Sequence, residues 1–398
     1  MKRFWMRAKR ALIIVAGLAL VLVALGAFVL WRLSIPPQPG EFYTAPAGEP
    51  AAPGTLIRSE PITSGVPEGA VAQRVLYWST GVDGQPVPVS GVVIAPAAAS
   101  DTPRPVVAWA HGTMGVLPEC GTSHTVLALA LITQLDGLIR EGFVVAATDY
   151  PGMGTPGIHP YLVGNVEGAA VLDSVRAAQQ LDVGAGSSFF TWGHSQGGHA
   201  SIWAGIMAPE YAPELDLEGV VAFAPAIDLQ GILRWSMDRP VGARLLAYAL
   251  YAWGNTLPGV SFTDVVRPEY LSRVEEMART CLLTPAGFLM QGEVPLAKDY
   301  LAVDPLTTDP YPALLQANRP DGGLVAPLLI AHGTADSTIP FAGSEAAAEM
   351  RCATGETVQL ARFPGVSHIG IVTSAGSYAL GWTVDRQAGR PVVSTCAG

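Results

Sequence analysis

A serine bracketed by glycines two residues away on either side, Gly193-His194-Ser195-Gln196-Gly197, constrains this chain more than any other feature. An apolar, β-type run from Ser187 to Trp192 precedes it, and a helix-like run from His199 to Met207 follows. At such a strand-to-helix junction the glycines let the backbone turn abruptly, holding the serine in a strained conformation with its hydroxyl exposed. The pentapeptide alone is common, so its context carries the information. A Gly-rich turn with an incidental serine is the simpler alternative, and the rest of the chain has to decide.

Upstream, Val71 to Thr80 and Val87 to Ala95 are β-branched runs joined across Gly81-Val82-Asp83-Gly84-Gln85, and read as an antiparallel hairpin. Pro105 to Ala110 is a short apolar strand of the kind buried on both faces, ending in His111-Gly112-Thr113. A helical pattern over Thr125 to Arg140 leads to a strand at Phe143 to Thr148, then a helix at Asn165 to Leu181. The serine turn and a strand at Gly219 to Ala224 complete the alternation. About a hundred aromatic-rich residues intervene before strands resume at Leu324 to Ala331 and Thr357 to Phe363, with a helix near Ser344 to Cys352 between them. Alternating strands and helices predict an α/β fold with a mainly parallel sheet and functional residues at the carboxyl ends of its strands. The insertion at about 226–323 predicts a largely helical cap after the sixth strand, within a domain spanning 56–398.

The amino terminus predicts something else. Lys2, Arg3, Arg7, Lys9 and Arg10 precede an uncharged apolar run from Ala11 to Trp31, long enough to cross a bilayer. No good small-x-small cleavage site lies right after it, so residues 1–34 are expected to form a cytoplasmic basic tail and a transmembrane signal-anchor, with the rest extracytoplasmic. Secretion after signal cleavage is the alternative. Residues 35–55, rich in Pro, Ala and Gly, are expected as a linker. The net charge of −10 argues against a nucleic-acid partner. Cys120, Cys281, Cys352 and Cys396 suit an oxidising compartment and allow three pairings.

A serine hydroxyl is a weak nucleophile near neutral pH, so Ser195 requires a base, and the base an acceptor that fixes its tautomer. His368, just past the strand ending at Phe363, and Asp336, just past the strand ending at Ala331, supply both in the order Ser, Asp, His, which is that of the α/β-hydrolase fold. His194 and His199 lie too close to Ser195 along the chain to serve as base. His111 and His332 suit structural hydrogen bonds, and His124 and His159 are expected to rim the site. Asp149 is the competing acid, with stabilising its own turn through Gly154 the simpler role. The backbone N–H groups of Thr113 and Gln196 are the expected oxyanion donors. No zinc, Walker or dinucleotide pattern occurs, so neither a metal nor a cofactor is expected.

With Ser90-Gly91, Ala110-His111-Gly112-Thr113, Asp149-Tyr150-Pro151-Gly152-Met153-Gly154, Gly193 to Gly198, His332-Gly333-Thr334-Ala335-Asp336 and Ser367-His368 in place, the chain resembles the secretory lipase family of the α/β-hydrolases over about Val71 to Cys396. The resemblance implies a triad of Ser195, Asp336 and His368, a cap between the sixth and seventh strands, and hydrolysis of a small-molecule acyl ester or lipid through an acyl-enzyme. It also implies the disulfides Cys120–Cys281 and Cys352–Cys396. An acyltransferase on the same fold, or a non-catalytic lipid-binding surface protein, are the alternatives. The N-terminal anchor departs from the family, many of whose members are released.

Overall fold

The computed structural model describes residues 37–290 and 294–396. Nine strands form one sheet in the order β1-β2-β3-β5-β4-β6-β7-β8-β9. Three antiparallel strands open it: β1 (Leu56–Ile62), β2 (Ala70–Thr80) and β3 (Pro86–Pro96). The six that follow, β4 (Arg104–Ala110), β5 (Val144–Thr148), β6 (Ala185–His194), β7 (Asp216–Phe223), β8 (Leu328–Gly333) and β9 (Val358–Phe363), run parallel to one another. The turn between β2 and β3 is closed by the Gly81 N–H on the Gln85 carbonyl and carries Gly84 at φ +76°.

Strand alternation sorts side chains between two helical layers. Val106, Ala108 and Ala110 of β4 pack on the side of α2 (Gly164–Gln179) and α3 (Gln196–Tyr211), while Val107 and Trp109 pack on the opposite side. There they meet α1 (Leu135–Arg140), α11 (Gly370–Ser374) and α12 (Gly376–Gln387). Every residue of β5 is buried, as expected of a strand covered on both faces.

Between β7 and β8 lies the cap, comprising α4 (Leu229–Ser236), α5 (Pro240–Thr256), α6 (Leu271–Arg279), α7 (Pro285–Met290), α8 (Ala297–Tyr300) and α9 (Tyr311–Ala317). A last long helix, α10 (Phe341–Ala353), follows β8. The cap follows the seventh strand in chain order, one later than the sequence suggested, because β1 had no recognisable pattern. Arg58, Glu60 and Pro61 interrupt its apolar character, and a proline is tolerated there because β1 is an edge strand.

Two further differences have local causes. The helix expected over Thr125 to Arg140 exists only from Leu135, because Gln134 adopts φ +57° and the residues before it form separate turns such as Ile132 N–H to Leu129 O. The carboxyl-terminal tail contains α11 and α12, whose apolar faces cover the back of the sheet. The transmembrane segment expected at Ala11 to Trp31 lies outside the described residues; among the described residues no helix is long and apolar enough to cross a membrane. The described part of the expected linker is packed down in places: Tyr43 is buried with its hydroxyl 3.0 Å from Ser123 Oγ, and the Gly54 N–H bonds the Trp78 carbonyl.

Candidate active site

The residues from Gly193 to Gly197 join β6 to α3 in a turn that admits no side chain at its two glycines. A Cβ at Gly193 would overlap the Gly197 carbonyl, and one at Gly197 the Ala110 carbonyl. Between them Ser195 sits at φ 58°, ψ −116°, a conformation that costs a non-glycine residue about 1–3 kcal/mol. The strain is held by the Ser195 N–H on the Phe223 carbonyl, and by the Ser195 carbonyl accepting from His199 and Ala226.

Two loops from neighbouring strands converge on this serine. His368, after β9, places Nε2 2.9 Å from Ser195 Oγ. Asp336, after β8, places Oδ2 2.7 Å from His368 Nδ1. All three residues are buried. The Asp336 carboxylate is saturated: Oδ1 accepts from the Thr338 and Ile339 amides, both at 2.8 Å, while Oδ2 also meets His332 Nε2 at 3.0 Å. Burial alone would raise this carboxyl, but the hydrogen bonds from His332 and His368, the charge of His368 and the Ile339 amide outweigh it and hold the group well below the ordinary carboxylate range.

The family model for secretory lipases matches residues 119–395. The chain belongs to the secretory lipase family. As such it is a carboxylic ester hydrolase of the lipase and esterase kind. It is similar to a protein named "Probable inactive lipase" from Mycobacterium tuberculosis, 27% identical over 378 residues, covering 89% of this chain and 83% of the relative. It is also similar to Lipase 6 of Candida albicans, 26% identical over 400 residues, with 91% and 84% covered. In architecture it resembles Candida antarctica lipase A in its closed state, with TM-score 0.76, 17% identity, and coverage of 91% and 89%. The rice cell wall degrading esterase LipA from Xanthomonas oryzae follows at TM-score 0.67, 20% identity, and 85% and 98% coverage.

In this secretory lipase two histidines support the three converging residues. His332 bridges Ser344 Oγ at 2.8 Å and Asp336, the structural role its strand-exit position suggested. His194, next to Ser195, places Nε2 3.0 Å from the His368 carbonyl and its ring 4.7 Å from the His368 ring. Burial first, then the nearby His368, lower His194 to about 3, so it stays neutral and donates to that carbonyl. Proximity to the serine had argued against a role as base, but gave no sign of this contact.

Two expected rim residues lie elsewhere. His159 is fully buried against the Gln196 side chain, and His124, within the loop after β4, places Nε2 3.0 Å from the Pro37 carbonyl. Asp149 accepts from the Thr122 and Ser123 amides and the Ser90 hydroxyl, so its carboxylate braces the loop after β4, and it reaches the turn it begins only through Ser90, whose hydroxyl also lies 3.2 Å from the Met153 carbonyl.

Thr113 and Gln196 flank Ser195, and neither backbone N–H has an acceptor among the described residues. For Gln196 this follows from its place at the first position of α3, where helix N–H groups have no intrahelical partner. A chamber of about 430 Å³ opens on one side of Ser195, walled by Thr113, His368, Met114, Leu245, Val294 and Ile369. On the other side a narrower cavity of about 60 Å³ runs under the cap between Leu229, Leu233, Leu246, Leu250, Trp253 and Leu315. Both disulfides are present. Cys120–Cys281 ties the loop after β4 to the cap, where the Leu282 N–H also bonds the Met114 carbonyl at 2.7 Å, and Cys352–Cys396 fastens the tail beside β9. Among the described residues no group of three or more His, Cys, Asp or Glu side chains could hold a metal ion.

Proposed function

We propose that this ester hydrolase acts through Ser195 as nucleophile, His368 as general base and then acid, and Asp336 as the group that orients and charges-balances His368. The observation that carries the reading is the unbroken chain Ser195 Oγ to His368 Nε2 at 2.9 Å and His368 Nδ1 to Asp336 Oδ2 at 2.7 Å, with the serine on a strained turn. His368 takes the Ser195 proton as Oγ attacks the ester carbonyl, and returns it to the departing alkoxide. Water, deprotonated by the same ring, then resolves the acyl-enzyme. The Thr113 and Gln196 amides receive the developing oxyanion.

The apolar cavity under the cap is small against the roughly 300–1,000 Å³ of ordinary ligand pockets. It suits a slim aliphatic acyl chain, and the wider chamber suits the alcohol half of the ester. Since one relative bears the name of an inactive lipase, the reading rests on these residues and not on kinship. The secretory family and two disulfides support an address outside the cytoplasm, with anchorage through Ala11 to Trp31 or release as the two forms of it. A chain-length series of p-nitrophenyl esters tests the function: the full chain should hydrolyse it with a preference set by acyl length. A folded protein that turns over none of them would point to a lipid-binding role.

A further inference from the structure

Glu167, on the first turn of α2, is completely buried, which a glutamate almost never is unless paired. Its Oε2 faces His199 Nδ1 at 3.0 Å. Its Oε1 accepts from the Gln196 side-chain amide at 2.7 Å and the Leu162 backbone N–H at 2.9 Å, with His159 Nε2 farther off at 3.4 Å. The first contact fixes the orientation of Gln196, because the reverse amide would set its oxygen against a carboxylate oxygen. The same nitrogen lies 2.7 Å from His159 Nε2, which must therefore accept, leaving His159 Nδ1–H to donate to the Pro151 carbonyl at 3.1 Å. Gln196 Oε1 is left buried with no partner among the described residues. The two N–H groups of this side chain serve Glu167 and His159 while its oxygen goes unpaired, so an apolar residue here would spare the oxygen but leave a buried carboxylate oxygen and a buried imidazole nitrogen each short of a donor.

The second contact leads to the opposite side of the site. Leu162 adopts φ +57°, a left-handed conformation unusual for leucine, with its N–H pinned on Glu167. This sets the position of Tyr161, whose hydroxyl lies 2.7 Å from Thr113 Oγ1. One carboxylate oxygen thus connects directly to Gln196 and, through Leu162 and Tyr161, to Thr113.

We propose that Glu167 is a positioning residue for the oxyanion hole, holding its two backbone donors, Gln196 and Thr113, in register. The proposal rests on the Ser195 mechanism above. It touches neither substrate nor the reacting atoms, and acts only on where the two N–H groups stand when the tetrahedral intermediate forms.

The test compares Glu167→Ala, Glu167→Gln and Gln196→Met in the full chain. Active sites are titrated by fluorophosphonate, with kcat and KM for a p-nitrophenyl ester, the inhibition constant of a trifluoromethyl ketone, and Tm measured alongside. Glu167→Gln can keep both Oε1 contacts if its NH2 turns toward an unprotonated His199 Nδ1, leaving His199 Nε2–H on the Asn318 carbonyl 2.7 Å away. Removing one oxyanion donor outright costs about 10²–10³-fold in kcat, and misplacing one costs less. Glu167→Ala is therefore expected to lose about 10- to 100-fold in kcat per titrated site with KM within about 3-fold, and to weaken the ketone in proportion to kcat/KM. Glu167→Gln should recover most of the loss. Gln196→Met, which removes the side-chain donor to Glu167 Oε1 and His159 Nε2 but leaves the Leu162 contact in place, should show the same signature even if Glu167→Ala fails to fold. A lowered Tm with unchanged kcat per site and unchanged ketone affinity in the folded variants overturns the proposal. If Ser195→Ala retains full hydrolysis, the mechanism beneath it fails instead.

Discussion

Replacing Asp336 by asparagine changes little in shape, yet the surrounding donors force a specific failure. The Thr338 and Ile339 amides, each 2.8 Å from Oδ1, demand an oxygen at that position. The new NH2 must then occupy the place of Oδ2, facing His368 Nδ1 and His332 Nε2. An NH2 group cannot accept a proton from a ring N–H, so His368 must become the tautomer protonated on Nε2, the atom 2.9 Å from Ser195 Oγ. The ring that should take the serine proton then offers one. A wrong-tautomer base costs roughly 10⁴-fold in kcat, or about 5 kcal/mol in the barrier. Steady-state hydrolysis of a short p-nitrophenyl ester, with near-UV circular dichroism to confirm the fold, measures it directly. Activity within tenfold of the unaltered protein would refute the tautomer argument.

Other consequences follow from the contacts around this centre. Folded His194 titrates near 3 against about 6.5 unfolded, so the unfolded chain binds a proton that the folded one refuses, and stability falls as pH drops from about 6.5 toward 3. His194→Gln, whose amide can still donate to the His368 carbonyl, should lose less Tm between pH 7 and pH 4 than the unaltered protein; equal losses would contradict this. Cys120→Ser with Cys281→Ser removes a link between residues 161 apart, worth about 5 kcal/mol in the chain-entropy model. It also loosens the cap where Leu282 meets Met114. Thermal melts should show a lower Tm, and kcat/KM should fall more for long-chain than for short-chain esters; an unchanged chain-length profile would show that the link is remote from the acyl site.

The sequence exposed what depends on short-range pattern. The glycines around Ser195, the apolar strands before Asp336 and His368, and the order of the three residues all follow from strand-exit chemistry that one stretch of chain can display. Edge strand β1 was hidden because Arg58, Glu60 and Pro61 suit a solvent-facing edge and carry no apolar alternation. The helix expected from Thr125 was shortened by the left-handed Gln134, a tertiary preference that overrides local propensity. The Glu167 cluster was invisible for a different reason. Its members come from a loop, α2, α3 and the loop after α9, and buried polar partners far apart in sequence leave no periodic trace.

The most direct test of the central claim is covalent. Intact-mass analysis after fluorophosphonate treatment should show one equivalent of label, mapped by peptide sequencing to Ser195, with label and ester hydrolysis lost together in Ser195→Ala while Tm is retained. A folded Ser195→Ala protein that still takes up the label, or still hydrolyses the esters at the original rate, would contradict the account.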